Sequence, residues 1–196
     1  MERTRVGKVS RKTKETEISV QVGLDGPAAA EISTGIGFFD HMLTAFAIHG
    51  GLDLQIKCQG DLEVDCHHSI EDTGIVLGQA LGQALGDKSG ILRYGESRIP
   101  MDEALGECIL DISGRPFLVF QAEFTADQVG GMDTQMVEEF FRAVAFQAGL
   151  TLHLSVPYGR NDHHKVEALF KAFAHAFRKA VVRSEAGQAL STKGVL

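Results

Sequence analysis

The chain has 196 residues, 44% of them hydrophobic and 23% charged, a globular composition able to bury a substantial core. Its formal charge of −7, with no Lys/Arg run or basic-aromatic stripe, disfavours nucleic-acid binding and leaves a small anionic substrate open. No apolar run approaches the roughly 18 residues of a membrane span, Met1-Glu2-Arg3-Thr4 has no signal core, and Cys58, Cys66 and Cys108 make no Cys-x-x-Cys pair, so a soluble, cytoplasmic protein with reduced thiols is expected.

In chain order, Val6 to Val22 reads as extended. Phe38 to Ile48 predicts a helix ended by Gly50-Gly51; Leu52, Leu54, Ile56 and Cys58 then alternate as a half-buried strand before a Gln59-Gly60-Asp61 turn. Asp65 is the expected cap of a second helix, in which Ile70, Gly74, Leu77, Leu81 and Leu85 recur at helical spacing and let small and large residues pack closely. Arg98 to Phe124 carries further extended, turn-punctuated segments. The order then repeats. Asp133 is the expected cap of a helix through Gln147, Gly149 stops it, Leu150, Leu152 and Leu154 alternate, Pro157-Tyr158-Gly159 turns the chain, and Asp162 is the expected cap of the last helix, with Val166, Leu169, Phe170, Phe173, Phe177 and Val181 on one face.

The fold class expected is α+β: an internally duplicated two-layer domain, each half a mixed β-sheet packed against two helices, with ferredoxin-like halves. The repeat spans approximately 1–90 and 91–185 within one compact domain of 1–196. The tail 186–196, including Ser191 and Lys193, has little periodicity and is expected to close over substrate.

The last helix of each half begins with the same cluster. His67-His68-Ser69-Ile70-Glu71 returns ninety-six positions later as His163-His164-Lys165-Val166-Glu167. On a helix, His67 and Glu71 share one face, as do His163 and Glu167, so each pair can hold one ion. The neighbouring His68 and His164 project about 100° away, so each His-His dyad suits two different ions. His41 lies on the preceding helix, and aligning the two helix ends puts Glu139 at its equivalent position. Imidazole and carboxylate without thiolate suit Mn, Fe, Co, Ni or Zn. A single His pair at a helix start is more often a capping or solvated feature; the duplication argues for metal. His49, His153 and His175 lack such company and read as structural or surface residues, and the Phe38-Phe39, Phe140-Phe141 and Phe170/Phe173/Phe177 sets read as core.

Three strings, Gly37-Phe38-Phe39-Asp40-His41-Met42-Leu43, Asp65-Cys66-His67-His68-Ser69-Ile70-Glu71-Asp72 and Asn161 through Phe173, carry a resemblance to the imidazoleglycerol-phosphate dehydratase family, which extends from Arg11-Lys12-Thr13-Lys14-Glu15-Thr16 to the C-terminus. The resemblance implies a hydro-lyase of L-histidine biosynthesis that converts D-erythro-imidazole glycerol phosphate to imidazole acetol phosphate and water, using two Mn²⁺ per subunit. One ion would take His41, His68, His163 and Glu167; the other would take His67, Glu71, His164 and the residue at position 139, where some members carry His and this chain carries Glu. Two metals flanking the substrate imidazole stabilise an imidazolate, whose electrons help expel the neighbouring hydroxyl through a diazafulvene-like intermediate. The resemblance makes Glu15 the base, a residue that by itself reads as a solvated strand carboxylate. Arg93, Arg115, Lys171, Ser191 and Lys193 match phosphate-binding positions, although Lys171, four residues after Glu167, is also placed for an ordinary helix ion pair. It further implies a homo-oligomer of twenty-four subunits with sites shared between them. The alternatives are a dinuclear metallohydrolase and a metal-storage assembly, neither of which accounts for the motif together with its flanks.

Overall fold

The computed structural model describes residues 4–184. The first half contains β1 (Val6–Lys12), β2 (Thr16–Gly23), β3 (Ala29–Ser33), α1 (Gly37–Gly50), β4 (Asp53–Gly60) and α2 (His67–Leu85). The second contains β5 (Tyr94–Met101), β6 (Ala104–Asp111), β7 (Phe117–Gln121), a short hairpin of β8 (Gln128–Val129) and β9 (Met132–Asp133), α3 (Met136–Ala148), β10 (Thr151–Tyr158) and α4 (Asp162–Ala180). The sheets have the same order, β1-β2-β4-β3 and β5-β6-β10-β7, each with one parallel pair at the edge, β3 with β4 and β7 with β10. Each half is thus a four-stranded mixed sheet backed by two helices, the two-layer α+β class expected, but its elements run β-β-β-α-β-α where a ferredoxin-like unit runs β-α-β-β-α-β. The extended stretch from Val6 to Val22 is two antiparallel strands, and the β8–β9 hairpin has no counterpart in the first half.

Period-two burial in β2 and β4 turns Ile18, Val20, Val22, Leu54, Ile56 and Cys58 to the helices. α2 packs on β1 and β2, α4 on β5 and β6, and the halves meet helix to helix, α2 against α3 and α1 against α4. Phenylalanines fill that seam as the sequence suggests: Phe46 stacks on Phe173 with centroids 5.0 Å apart, and Phe39 meets Phe140 edge-on at 5.2 Å. Gly51 and Gly149 end α1 and α3 in the left-handed conformation, each at φ 70°.

The duplication extends to one tight contact. A Cβ on Gly7 would overlap the carbonyl oxygen of Ala80 in α2, and one on Gly95 would overlap that of Ala176 in α4. Glycine lets each edge strand lie directly against its helix. Gly95→Ala is expected to destabilise the fold by about 1–3 kcal/mol, since backbone must move to admit the methyl group; denaturant melts of the variant and parent check this.

Three helix starts differ from expectation. The cap of α4 is Asn161, whose side chain accepts the amides of His163 (2.9 Å) and His164 (3.4 Å). Asp162 is instead buried in the first turn; its carboxylate takes the amides of Thr125 and Ala126, each at 2.7 Å, and the ammonium of Lys165 at 2.7 Å. Asp133 lies before α3, bonding the amide of Gln135, and Asp65 stands one residue before the Cys66 boundary of α2, accepting from the His67 amide at 2.7 Å. Among the described residues no helix is long and apolar enough to cross a membrane.

Candidate metal centre

The start of α4 and the exposed side of α1 bring three sequence-predicted ligands together. His41, His163 and Glu167 each offer one ligand atom, and these atoms all lie within 4.8 Å of one another. Nε2 of His163 is 3.1 Å and Nε2 of His41 3.6 Å from the same Glu167 oxygen. Phe38 braces the His163 ring at 4.9 Å. The other Glu167 oxygen is 2.6 Å from the Lys171 ammonium, so Lys171 makes the helix ion pair that its spacing allowed. Burial alone would push the Glu167 carboxyl up, but Lys171, His41 and His163 together hold it below the usual carboxylate range.

The corresponding pair in α2 is more open: Nε2 of His67 lies 3.5 Å from Glu71. Glu139 occupies the place in α3 that His41 has in α1, counted back from the matching Gly149 and Gly51 caps, and its carboxylate meets Arg142 at 3.4 Å.

His68 and His164 diverge from their neighbours as the 100° step requires; the ring planes cross at 74° in the first dyad and 82° in the second. Neither joins the three-residue cluster. His68 presents Nδ1 to Asp61 at 3.0 Å, and His164 presents Nδ1 to Glu103 at 2.7 Å. Each carboxylate raises the basicity of its imidazole. Asp102, held at φ 47°, brings its carboxylate within 3.8 Å of Nε2 of His164. Sequence reasoning assigned Asp61 and Glu103 no part here. The signal for Glu103 was the duplicated strand pair, since Glu103 immediately precedes β6 as Glu15 immediately precedes β2.

Glu103 is lowered to about 2, first by the His164 hydrogen bond and then by the amides of Asn161 and Arg160. A carboxyl depressed in the fold adds stability above its unfolded value of 4.5 that is lost as pH falls toward about 2. Glu103→Gln is therefore expected to flatten the acid limb of the stability profile between these values, as followed by circular dichroism.

Glu15 sits in the β1–β2 turn, exposed, at the same end of the first sheet as α2, where its charge acts on His68. Arg93 and Arg115 lie elsewhere. Both pair with Asp111, Arg93 through Nε at 2.6 Å and Arg115 at 3.6 Å, and Asp111 is opposite Thr151 at the start of β10. The α4 ligands follow the far end of β10, and its eight residues put roughly 25 Å between the two groups at about 3.3 Å per residue. Arg93 is buried, its guanidinium held by both Asp111 oxygens. Ser191 and Lys193 lie outside the described residues.

The donor set is imidazole and carboxylate, without thiolate, in one near-complete cluster and one His-Glu pair. That chemistry suits Mn, Fe, Co, Ni or Zn without choosing among them. The fold and site define a duplicated α+β protein that carries two related His-His-x-x-Glu helix starts, one of which joins His41 in a group able to hold a metal ion. The family model for imidazoleglycerol-phosphate dehydratase matches residues 34–177. The imidazoleglycerol-phosphate dehydratase of Methanosarcina mazei is 59% identical over 192 residues, covering 98% of this chain and all of that protein, and that of Acetivibrio thermocellus is 56% identical over 189. The crystal structure of the Staphylococcus aureus enzyme matches with TM-score 0.82 at 44% identity, covering 91% of this chain and 99% of that one, and the Pyrococcus furiosus structure with 0.84 at 38%, covering 96% and 100%. The chain belongs to the imidazoleglycerol-phosphate dehydratase family, a family of hydro-lyases.

Proposed function

We propose that this protein dehydrates D-erythro-imidazole glycerol phosphate to imidazole acetol phosphate in the cytoplasm as a step of L-histidine biosynthesis, with two Mn²⁺ per subunit. The observation that carries the metal reading is the convergence of His41, His163 and Glu167 from two helices at ligand distance, in a chain that belongs to a dehydratase family. One ion would be held by these three with His68, and the second by His67, Glu71 and His164 with Glu139. When bound, the ions would supply Lewis acidity toward the substrate imidazole, favouring its deprotonated form.

The chain's own residues account for the remaining work. Glu15, exposed in its turn, takes the proton from the carbon beside the departing hydroxyl, giving the enol of the product ketone. Buried Glu167 stays ionised, and its oxygen, 3.6 Å from Nε2 of His41 and 3.1 Å from Nε2 of His163, would share an ion with both imidazoles. The arginines Arg93 and Arg115 supply fixed positive charge for the phosphate, joined by Lys171, Ser191 and Lys193.

The separation within one chain supports a shared site. Only three of the eight proposed ligands, His41, His163 and Glu167, form a cluster among the described residues, and Arg93 and Arg115 lie at the opposite sheet end. Neighbouring copies then complete each site, in a closed shell of twenty-four. Metal content and particle size of the purified protein test this together. The reading predicts two Mn²⁺ per chain and smaller species after chelation; a full-size particle without metal would contradict the coupling, and loading well above two ions would favour storage.

A further inference from the structure

The second histidine of each dyad, His68 or His164, is gripped at Nδ1 by an acid from a different part of the chain. Both oxygens of Asp61, in the loop between β4 and α2, face Nδ1 of His68 at 3.0 and 3.2 Å. Glu103, in the β5–β6 turn, divides its oxygens: one takes Nδ1 of His164 at 2.7 Å, the other the amides of Asn161 at 2.7 Å and Arg160 at 2.9 Å. An ionised carboxylate only accepts, so the facing nitrogen must carry the hydrogen, which leaves the lone pair on Nε2. The first histidine of each dyad behaves differently, meeting its own helix's glutamate through Nε2.

We infer that Asp61 and Glu103 are positioning residues, which fix the Nδ1–H tautomer and ring direction of His68 and His164 so that Nε2 of each is presented to a metal ion. This rests on the dimetal reading above. It also explains an asymmetry between the repeats. Glu103 and Glu15 are equivalent, each the residue just before the second strand of its half. In the second half that acid is spent on His164. In the first half Asp61 holds His68 instead, which leaves Glu15 free for the reaction. The same turn position thus carries a different task in each half.

The amides of Asn161 and Arg160 make the inference unusually easy to test. In Glu103→Gln the amide oxygen stays on those backbone donors, which turns the NH₂ toward Nδ1 of His164. Two donors cannot face each other, so the ring is driven to the Nε2–H tautomer that cannot ligate. In Asp61→Asn nothing fixes the amide, and its oxygen can turn to Nδ1. The measurement is a titration of the full-length metal-stripped protein with Mn²⁺ alone, on the parent, Asp61→Asn, Asp61→Ala, Glu103→Gln, His68→Ala, His164→Ala and the doubles Asp61→Ala/His68→Ala and Glu103→Gln/His164→Ala. Expected is a 10–100-fold loss of affinity at one site in Glu103→Gln and Asp61→Ala, a smaller loss in Asp61→Asn, and doubles no weaker than the histidine variants alone. Unchanged affinity in Glu103→Gln and Asp61→Ala, or losses that add to those of the histidines, would overturn the positioning role. A parent that binds no Mn²⁺ would instead overturn the dimetal reading on which it rests.

Discussion

Glu15→Gln is expected to lower dehydratase kcat by about 10²–10⁴-fold, the usual contribution of a positioned general base, while leaving Mn²⁺ content and assembly unchanged. The residue is exposed in the β1–β2 turn and borders His68 without being one of the proposed ligands. Its replacement by an isosteric amide removes the proton acceptor without leaving a buried charge unpaired, so stability should stay within about 0.5 kcal/mol of the parent. Steady-state kinetics with metal analysis on the same sample check both parts. A fall in rate that tracked loss of metal would make Glu15 a support for the site in place of its base.

The second large effect falls on Glu167. It is 6% exposed, its oxygens meet Nε2 of His41, Nε2 of His163 and the Lys171 ammonium, and it is the one carboxylate of the three-residue cluster. Glu167→Ala is expected to leave about one Mn²⁺ per chain and to reduce kcat by roughly 10³-fold or more, in line with the several kcal/mol that a Lewis-acid site supplies. Lys171, 20% exposed at its side chain, would keep its charge beside two imidazoles. The matching α2 carboxylate, Glu71, is 43% exposed at its side chain, so its removal should disturb stability less than that of Glu167. Metal analysis and thermal melts of both variants distinguish loss of the ion from loss of the fold.

The parts of this site that were legible in the sequence are those fixed by local geometry. The i,i+4 relation places His67 with Glu71 and His163 with Glu167 whatever the rest of the chain does, and the 3.6-residue turn sends His68 and His164 elsewhere. The glycine caps gave helix ends reliable enough to equate Glu139 with His41, because only the left-handed residue can stop α1 and α3 as they stop. What was not legible depends on contacts between distant segments. Asn161 and Asp162 are both good capping residues one position apart, and the choice is decided by Thr125 and Ala126, whose amides claim Asp162. Asp61 and Glu103 reach their histidines only after β4, β5 and β6 are in place. The separation of Arg93 and Arg115 from the ligands follows from sheet register, which the alternation of Leu150, Leu152 and Leu154 does not reveal.

The most direct test is dehydratase turnover of imidazole glycerol phosphate by the metal-stripped protein, following ketone product with and without added Mn²⁺. The account predicts no turnover after chelation and full recovery as manganese approaches two per chain. A protein that bound its full complement of metal and formed no ketone would contradict it.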